Sequence, residues 1–370
     1  MAAFIPGLKL AERFYVEAVR PILDREYPGL SHSAALIGSG SEVLGFDTEM
    51  SSDHHWGPRV MLFLRQDDHA QLAGAIHETL RHQLPYTFLG FPTNFGDPDP
   101  DDSGVQLLQS VSEGPINHRV ELLTIEQLVQ DQLAFDLDAE ITPADWLTFP
   151  QQKLLTLTAG AVYHDEIGLQ TVRDRFAWYP HDVWLYLLAS GWSRIGQEEH
   201  LMPRAGYTGD EIGSALIAAS LVRTIMQLGF LMERRYAPYA KWFGTAFARL
   251  TCAEALMPHL RSAQLAPDWQ TRERHLSAAY EALARMHNRL ELTDPVPEKV
   301  KPFFGRPFKI IGGSDIAASL AAQISDPTVQ QILQRRLIGS IDQITTSTDL
   351  LEDTGQRSRF RALYETETET

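Results

Sequence analysis

A single cysteine, Cys252, in 370 residues excludes an internal disulfide framework and any multi-cysteine metal site. Its setting, Arg249-Leu250-Thr251-Cys252-Ala253, reads as helical and apolar, so a buried, inert thiol is expected. Cations are scarce as well. Lys and Arg number 32 against 48 Asp and Glu, for a formal net charge of −16 at pH 7. Long nucleic acid is held by clustered Lys and Arg, so this chain is a poor candidate for such a partner. A small nucleotide is not excluded, because a local basic pocket and a metal override the global field. A long uninterrupted apolar run is missing too. The best membrane candidate, Ile212 to Met232, has Arg223 and Gln227 in its middle, so a buried helix of a soluble domain is expected and no membrane contact. Met1 to Leu8 shows no basic flank leading into an apolar stretch, which makes a cytoplasmic location the expectation. Internal repeats are absent.

What remains is an ordinary globular composition, 44% hydrophobic and 22% charged, long enough for one large or two medium domains. Leu10 to Arg25 has helical spacing, His32 to Gly38 and Arg59 to Leu64 read as strands, and Asp68 to Leu84 as a helix. Gly90 to Gly104 is a Pro-, Gly- and Asp-rich loop. Its run Asp97-Pro98-Asp99-Pro100-Asp101-Asp102 lacks the glycine and bidentate acid of a calcium loop and reads as solvated. His118 to Leu123 returns to strand and Ile125 to Phe135 to helix.

Beyond residue 138 the helical period dominates. Thr142-Pro143-Ala144-Asp145 is a capping box, and Thr208-Gly209-Asp210-Glu211 reads as a second one opening a helix to Arg234. Further helices are expected at 181–195, 241–256, 268–290, 316–324 and 328–344, with Leu292 to Gly305 crossing the surface. The expected fold is therefore α+β: a small mixed-sheet domain at 1–138, a larger all-helical domain at 139–364, and a disordered tail at 365–370.

Chemistry is suggested by Leu36-Ile37-Gly38-Ser39-Gly40-Ser41: an apolar strand, a Gly-Ser turn and a short helix around Glu42 to Leu44. Such a turn offers backbone N–H groups at a helix start to a phosphate. Ser52-Asp53-His54-His55-Trp56 brings a carboxylate just ahead of the second strand, where it can hold a magnesium ion. The pattern resembles the nucleotidyltransferase superfamily typified by DNA polymerase beta and the antibiotic nucleotidyltransferases. Gly38 and Ser39 match its turn, and Asp53 follows after thirteen intervening residues, within the usual spacing. His55 stands where the second acid of the pair belongs. The chain also looks like an uncharacterised bacterial family of nucleotidyltransferase-like proteins with a helical domain of unknown function. That likeness rests on Gly45-Phe46-Asp47-Thr48-Glu49, Asp53-His54-His55-Trp56-Gly57-Pro58-Arg59 and Arg235-Tyr236-Ala237-Pro238-Tyr239-Ala240-Lys241-Trp242.

The resemblance implies metal-dependent transfer of a nucleotide from a nucleoside triphosphate to a small-molecule or protein acceptor, with Mg²⁺ or Mn²⁺ as cofactor. Asp53, His55 and Glu121 would be the catalytic and metal-holding residues, and His55 could instead serve as a base. Gly38, Ser39 and Ser41 would cradle phosphate, while Arg235, Tyr239 and Lys241 would contact the nucleotide. Asp47 and Glu49 are spare acids or plain loop residues. Two alternatives stand beside this reading. One is a degenerate fold that binds or scaffolds without catalysis. The other is an HD-type phosphohydrolase built on His164-Asp165 and His181-Asp182. For Asp182 a first-turn acid favoured by the helix dipole is the simpler account.

Overall fold

The computed structural model describes residues 3–53, 56–101 and 104–365, and all of their side chains except those of Ser52 and Asp53. The expected tail, beyond Glu365, lies outside the described residues. The chain divides into two compact units: Met1–Ala139 with Lys153–Ala177, and Glu140–Gln152 with Trp178–Thr370.

The first unit opens on the expected amphipathic helix, in three pieces: Gly7–Phe14, a π-turn at Tyr15–Val19, and Arg20–Glu26. Pro21 has no N–H to donate and its ring crowds the carbonyl four residues back, and the wider π-turn relieves both. Asp47 is neither a ligand nor an idle loop acid. Its carboxylate accepts the Gly7 N–H at 2.7 Å and so caps this helix from forty residues away.

Four strands form the sheet: β1 (His32–Leu36), β2 (Arg59–Leu64), β3 (Arg119–Leu123) and β4 (Ala161–Asp165), in the order β3-β2-β1-β4. β1 runs antiparallel to β2 and to β4, and β2 runs parallel to β3, so the sheet is mixed as expected. The fourth strand was not expected, since it lies beyond residue 138 and its residues are half-buried with no clean alternation. One face of the sheet is apolar. Ala34, Val60, Leu62, Leu64 and Val120 pack against Leu10, Phe14, Val19 and Ile22 of the first helix and Ile76 and Leu80 of the helix Gln66–Gln83. Alternation then turns Arg59, Met61, Arg119 and Glu121 to the other face.

The second unit is helical. Its central helix, Glu211–Met232, packs on His181–Glu198, Leu201–Tyr207, Ala253–Gln264 and Trp269–Arg289. By length and composition it could cross a membrane, yet 56% of its most apolar window is buried within the protein. The capping box at Thr142 forms as read, with Asp145 at its third position. The one at Thr208 does not. Thr208 closes the preceding helix by donating to the Ala205 carbonyl at 2.9 Å, and Asp210 caps the long helix by accepting the Gly213 N–H at 2.7 Å.

Two expected helices are each broken in two. Residues 241–256 form Ala240–Phe247 and Ala253–Gln264, because Glu233 accepts the N–H groups of Thr251 and Cys252 and starts a new helix there. Residues 328–344 form Pro327–Arg335 and Ile341–Ile344, parted by Gly339 in the left-handed region. Cys252 is buried, and burial together with Glu233 pushes its thiol up to about 12, an unreactive group as expected.

Candidate functional site

The turn after β1 differs from the sequence expectation in one important respect. Gly38 has φ +129°, a conformation open to glycine, but its N–H is already spent on the Thr156 carbonyl at 3.1 Å. No helix follows. Residues 41–45 form a hydrogen-bonded turn in which Leu44 N–H reaches the Gly40 carbonyl and Phe46 N–H the Ser41 carbonyl. A helix dipole is therefore not available here. What the turn offers instead is the exposed Ser39, the half-buried Ser41, and backbone N–H groups at 39–41 that no described residue takes up. A row of N–H groups of this kind still attracts an anion.

Beside the turn the parallel β2–β3 register sets Arg59 next to Arg119 and Met61 next to Glu121. Each arginine has a carboxylate of its own. Arg59, 16% exposed, pairs with the buried Glu42, and Arg119, 19% exposed, lies 3.4 Å from Glu121. Arg119 also sits 5.7 Å over the ring of Phe95. Two arginines at neighbouring register positions, each held by an ion pair, have little entropy still to lose, which suits capture of phosphate. Sequence reasoning missed Glu42 and both arginines. The signal available was Arg59 opening a strand next to a glycine turn.

The other expected residues are scattered. Asp53 ends a 3₁₀ turn, Glu49–Asp53, directly ahead of β2, but its side chain lies outside the described residues, and so does the whole of His55. Glu121 is on β3 with 46% of its side chain exposed. Arg235, Tyr239 and Lys241 belong to the helical unit. Arg235 is exposed just past the central helix, its N–H bonded to the Phe230 carbonyl. Tyr239 precedes the helix Ala240–Phe247, and Lys241 is exposed with its ammonium 5.1 Å over Trp242. Their neighbour Tyr236 is buried against Trp178 and Tyr179, ring centroids 5.0 and 5.3 Å away, so aromatic packing of a corner accounts for much of this composition.

Both histidine–aspartate pairs have spent their acids on the backbone. Asp165 accepts N–H bonds from Gly168, Leu169 and Gln170 and the Ser33 hydroxyl, and these bonds hold its carboxyl below the ordinary range against the opposing pull of burial. Asp182 accepts from the N–H groups of Ser325 and Asp326 and the Ser325 hydroxyl. The Asp165 bonds use both carboxylate oxygens, whereas the three at Asp182 all fall on Oδ2. At the sheet edge the described donors fit an anion better than a cation. Glu42 and Glu121 are both paired to arginine, and a divalent ion there would need the Asp53 carboxylate as well.

The helical unit holds a cavity of about 530 Å³ lined by Ser190, Arg194, Ser220, Arg223, Gln227 and Asp342. Asp342 accepts the Gln151 N–H at 3.0 Å, and burial pushes its carboxyl up to about 7. Tyr239 lines a smaller adjoining hollow with Gln151, Arg223 and Gln227.

Residues 146–243 match a family described as "Domain of unknown function (DUF4037)". No curated protein matches the chain. Among solved structures, a nucleotidyltransferase-like protein from Exiguobacterium sibiricum is similar at 9% identity, covering 83% of this chain and 88% of that chain, with a TM-score of 0.32.

Proposed function

We propose that the turn at Gly38 to Ser41 and the arginines beside it bind the phosphates of a nucleoside triphosphate. In this reading the protein is a metal-dependent nucleotidyltransferase acting on a small-molecule or protein acceptor. The observation that carries it is the placement of Arg59 and Arg119 as neighbours in the parallel register, with Arg59 paired to Glu42 of the turn. The guanidinium groups take phosphate oxygens, and the hydroxyls of Ser39 and Ser41 with their N–H groups complete the cradle. Asp53 and Glu121, with His55, are the residues that would hold Mg²⁺ or Mn²⁺. The ion would supply neutralisation of the triphosphate charge. A cytoplasmic setting and a small acceptor rather than long nucleic acid accord with the net charge of −16.

A second reading, nucleotide binding without transfer, is favoured by one feature: Glu121, the described acid, is engaged by Arg119. One experiment separates the two. Thermal shift with ATP, GTP, CTP and UTP, with and without Mg²⁺ or Mn²⁺, is measured on wild type, Arg119→Ala and Asp53→Ala. A ligand at a hundred times its dissociation constant stabilises by about 2.7 kcal/mol, a shift of several degrees. Transferase chemistry predicts a metal-dependent shift lost in both variants. Binding alone predicts a metal-independent shift lost only in Arg119→Ala. The absence of any shift overturns both.

A further inference from the structure

The first unit carries a cluster of metal-ligating side chains away from the glycine turn. His32 opens β1, His164 lies on the edge strand β4, and Glu166 follows that strand. The ladder brings them together. His164 is registered against Ala34, Asp165 against Ser33, and the Glu166 N–H donates to the His32 carbonyl at 3.2 Å. One ligating atom from each of the three side chains lies within 4.8 Å of the others. We propose that His32, His164 and Glu166 bind a transition-metal dication of the zinc class, clasping the edge strand to β1.

Three observations support this. First, His164 Nε2 and Glu166 Oε1 are 3.3 Å apart, about the edge of a tetrahedron whose bonds are about 2.0–2.1 Å long. Second, His32 is already set up as a ligand. Its Nδ1–H donates to the Leu30 carbonyl at 3.1 Å, which leaves Nε2 as the nitrogen with the lone pair. Ligating histidines are commonly oriented through a second-nitrogen bond of this kind. Third, Glu166 is 48% exposed, so the cluster is open to an ion from solvent on that side.

The Tyr15 hydroxyl, 2.9 Å from His32 Nε2, donates to that lone pair. It has to turn aside when the ion binds. Asp165 takes no part, because its carboxylate is consumed by the Gly168–Gln170 N–H groups and Ser33. The site therefore differs from an HD pair in its acid. Two imidazoles and one carboxylate select zinc, cobalt or nickel over magnesium and calcium.

The test is titration of the metal-stripped full chain with Zn²⁺ and with Co²⁺, read by calorimetry and by the visible absorption of four-coordinate cobalt. One equivalent is expected, undisturbed by millimolar Mg²⁺, with affinity at least ~10-fold weaker in His164→Ala and in Glu166→Ala. Glu166→Ala removes an exposed side chain and leaves folding intact. Asp53→Ala serves as the control and should bind as wild type, which separates this site from any ion at the triphosphate cradle. Absence of saturable binding, or unchanged affinity in both cluster variants, overturns the proposal. So does displacement by equimolar Mg²⁺.

Discussion

Arg59 and Arg119 are direct neighbours in the parallel pairing of β2 with β3, two like charges where both strands begin. The arrangement persists because Glu42 and Glu121 face them separately. The half-exposed Arg119–Glu121 pair is the one an incoming phosphate can exchange at modest cost, while Arg59 can keep Glu42 and offer its remaining N–H groups.

The two ion pairs should differ in energetic weight. Glu42 is 7% exposed, so Arg59→Ala leaves a buried carboxylate without its partner, and a loss of about 3 kcal/mol is expected in urea unfolding. Glu121→Gln disturbs a half-exposed pair and should cost about 0–1 kcal/mol. Equal losses in the two variants would contradict this ranking.

In the helical unit Asp145 is 1% exposed and serves three partners at once. It completes the cap with Thr142 and pairs with both Arg357 and Arg361, while Arg357 lies over the ring of Phe149. Asp145→Ala strands a buried guanidinium and should destabilise by about 3–5 kcal/mol. Arg361→Ala, which leaves Arg357 in place, should cost clearly less in the same denaturation series.

Asp342 sets a slope in the pH dependence of stability. Its folded carboxyl is pushed up to about 7 by burial, well above an unfolded aspartate near 3.9. Between these values the folded state binds the extra proton, so this group's stabilising contribution is present at pH 4 and lost as pH rises through 7. Asp342→Asn should flatten that part of the curve. The check is the difference between wild-type and variant melting temperatures from pH 4 to 8, and a constant difference would count against it.

Two glycines near the turn should respond unequally to alanine. Gly38, at φ +129°, has open space where a Cβ would stand, so Gly38→Ala costs backbone strain alone, about 1–3 kcal/mol. At Gly160, with φ +78°, a Cβ would press into the Leu36 carbonyl oxygen at the end of β1. Gly160→Ala should therefore be the more damaging, and thermal melts of the two variants decide it.

Local chemistry made parts of this protein legible from the chain alone. β2 was bounded correctly by its apolar run and the capping box at Thr142 by its spacing, and the central helix was found by its apolar content, though its cap is Asp210 and it ends at Met232. These signals lie within a few residues of one another, where period and hydrogen-bonding options are fixed by the backbone. The pairings that shape the candidate site were settled elsewhere. Glu42 meets Arg59 across 17 residues, and Ser33 meets Asp165 across 132. β4 joins the sheet only because β1 offers it an edge, since its own residues, four half-buried and one exposed, show no alternation. The sequence alone determined the segments with a strong local signal, such as the strand Arg59–Leu64 and the cap at Thr142. Tertiary structure decided which charges face each other, because a buried carboxylate takes whichever donor the packed strands and turns bring within reach.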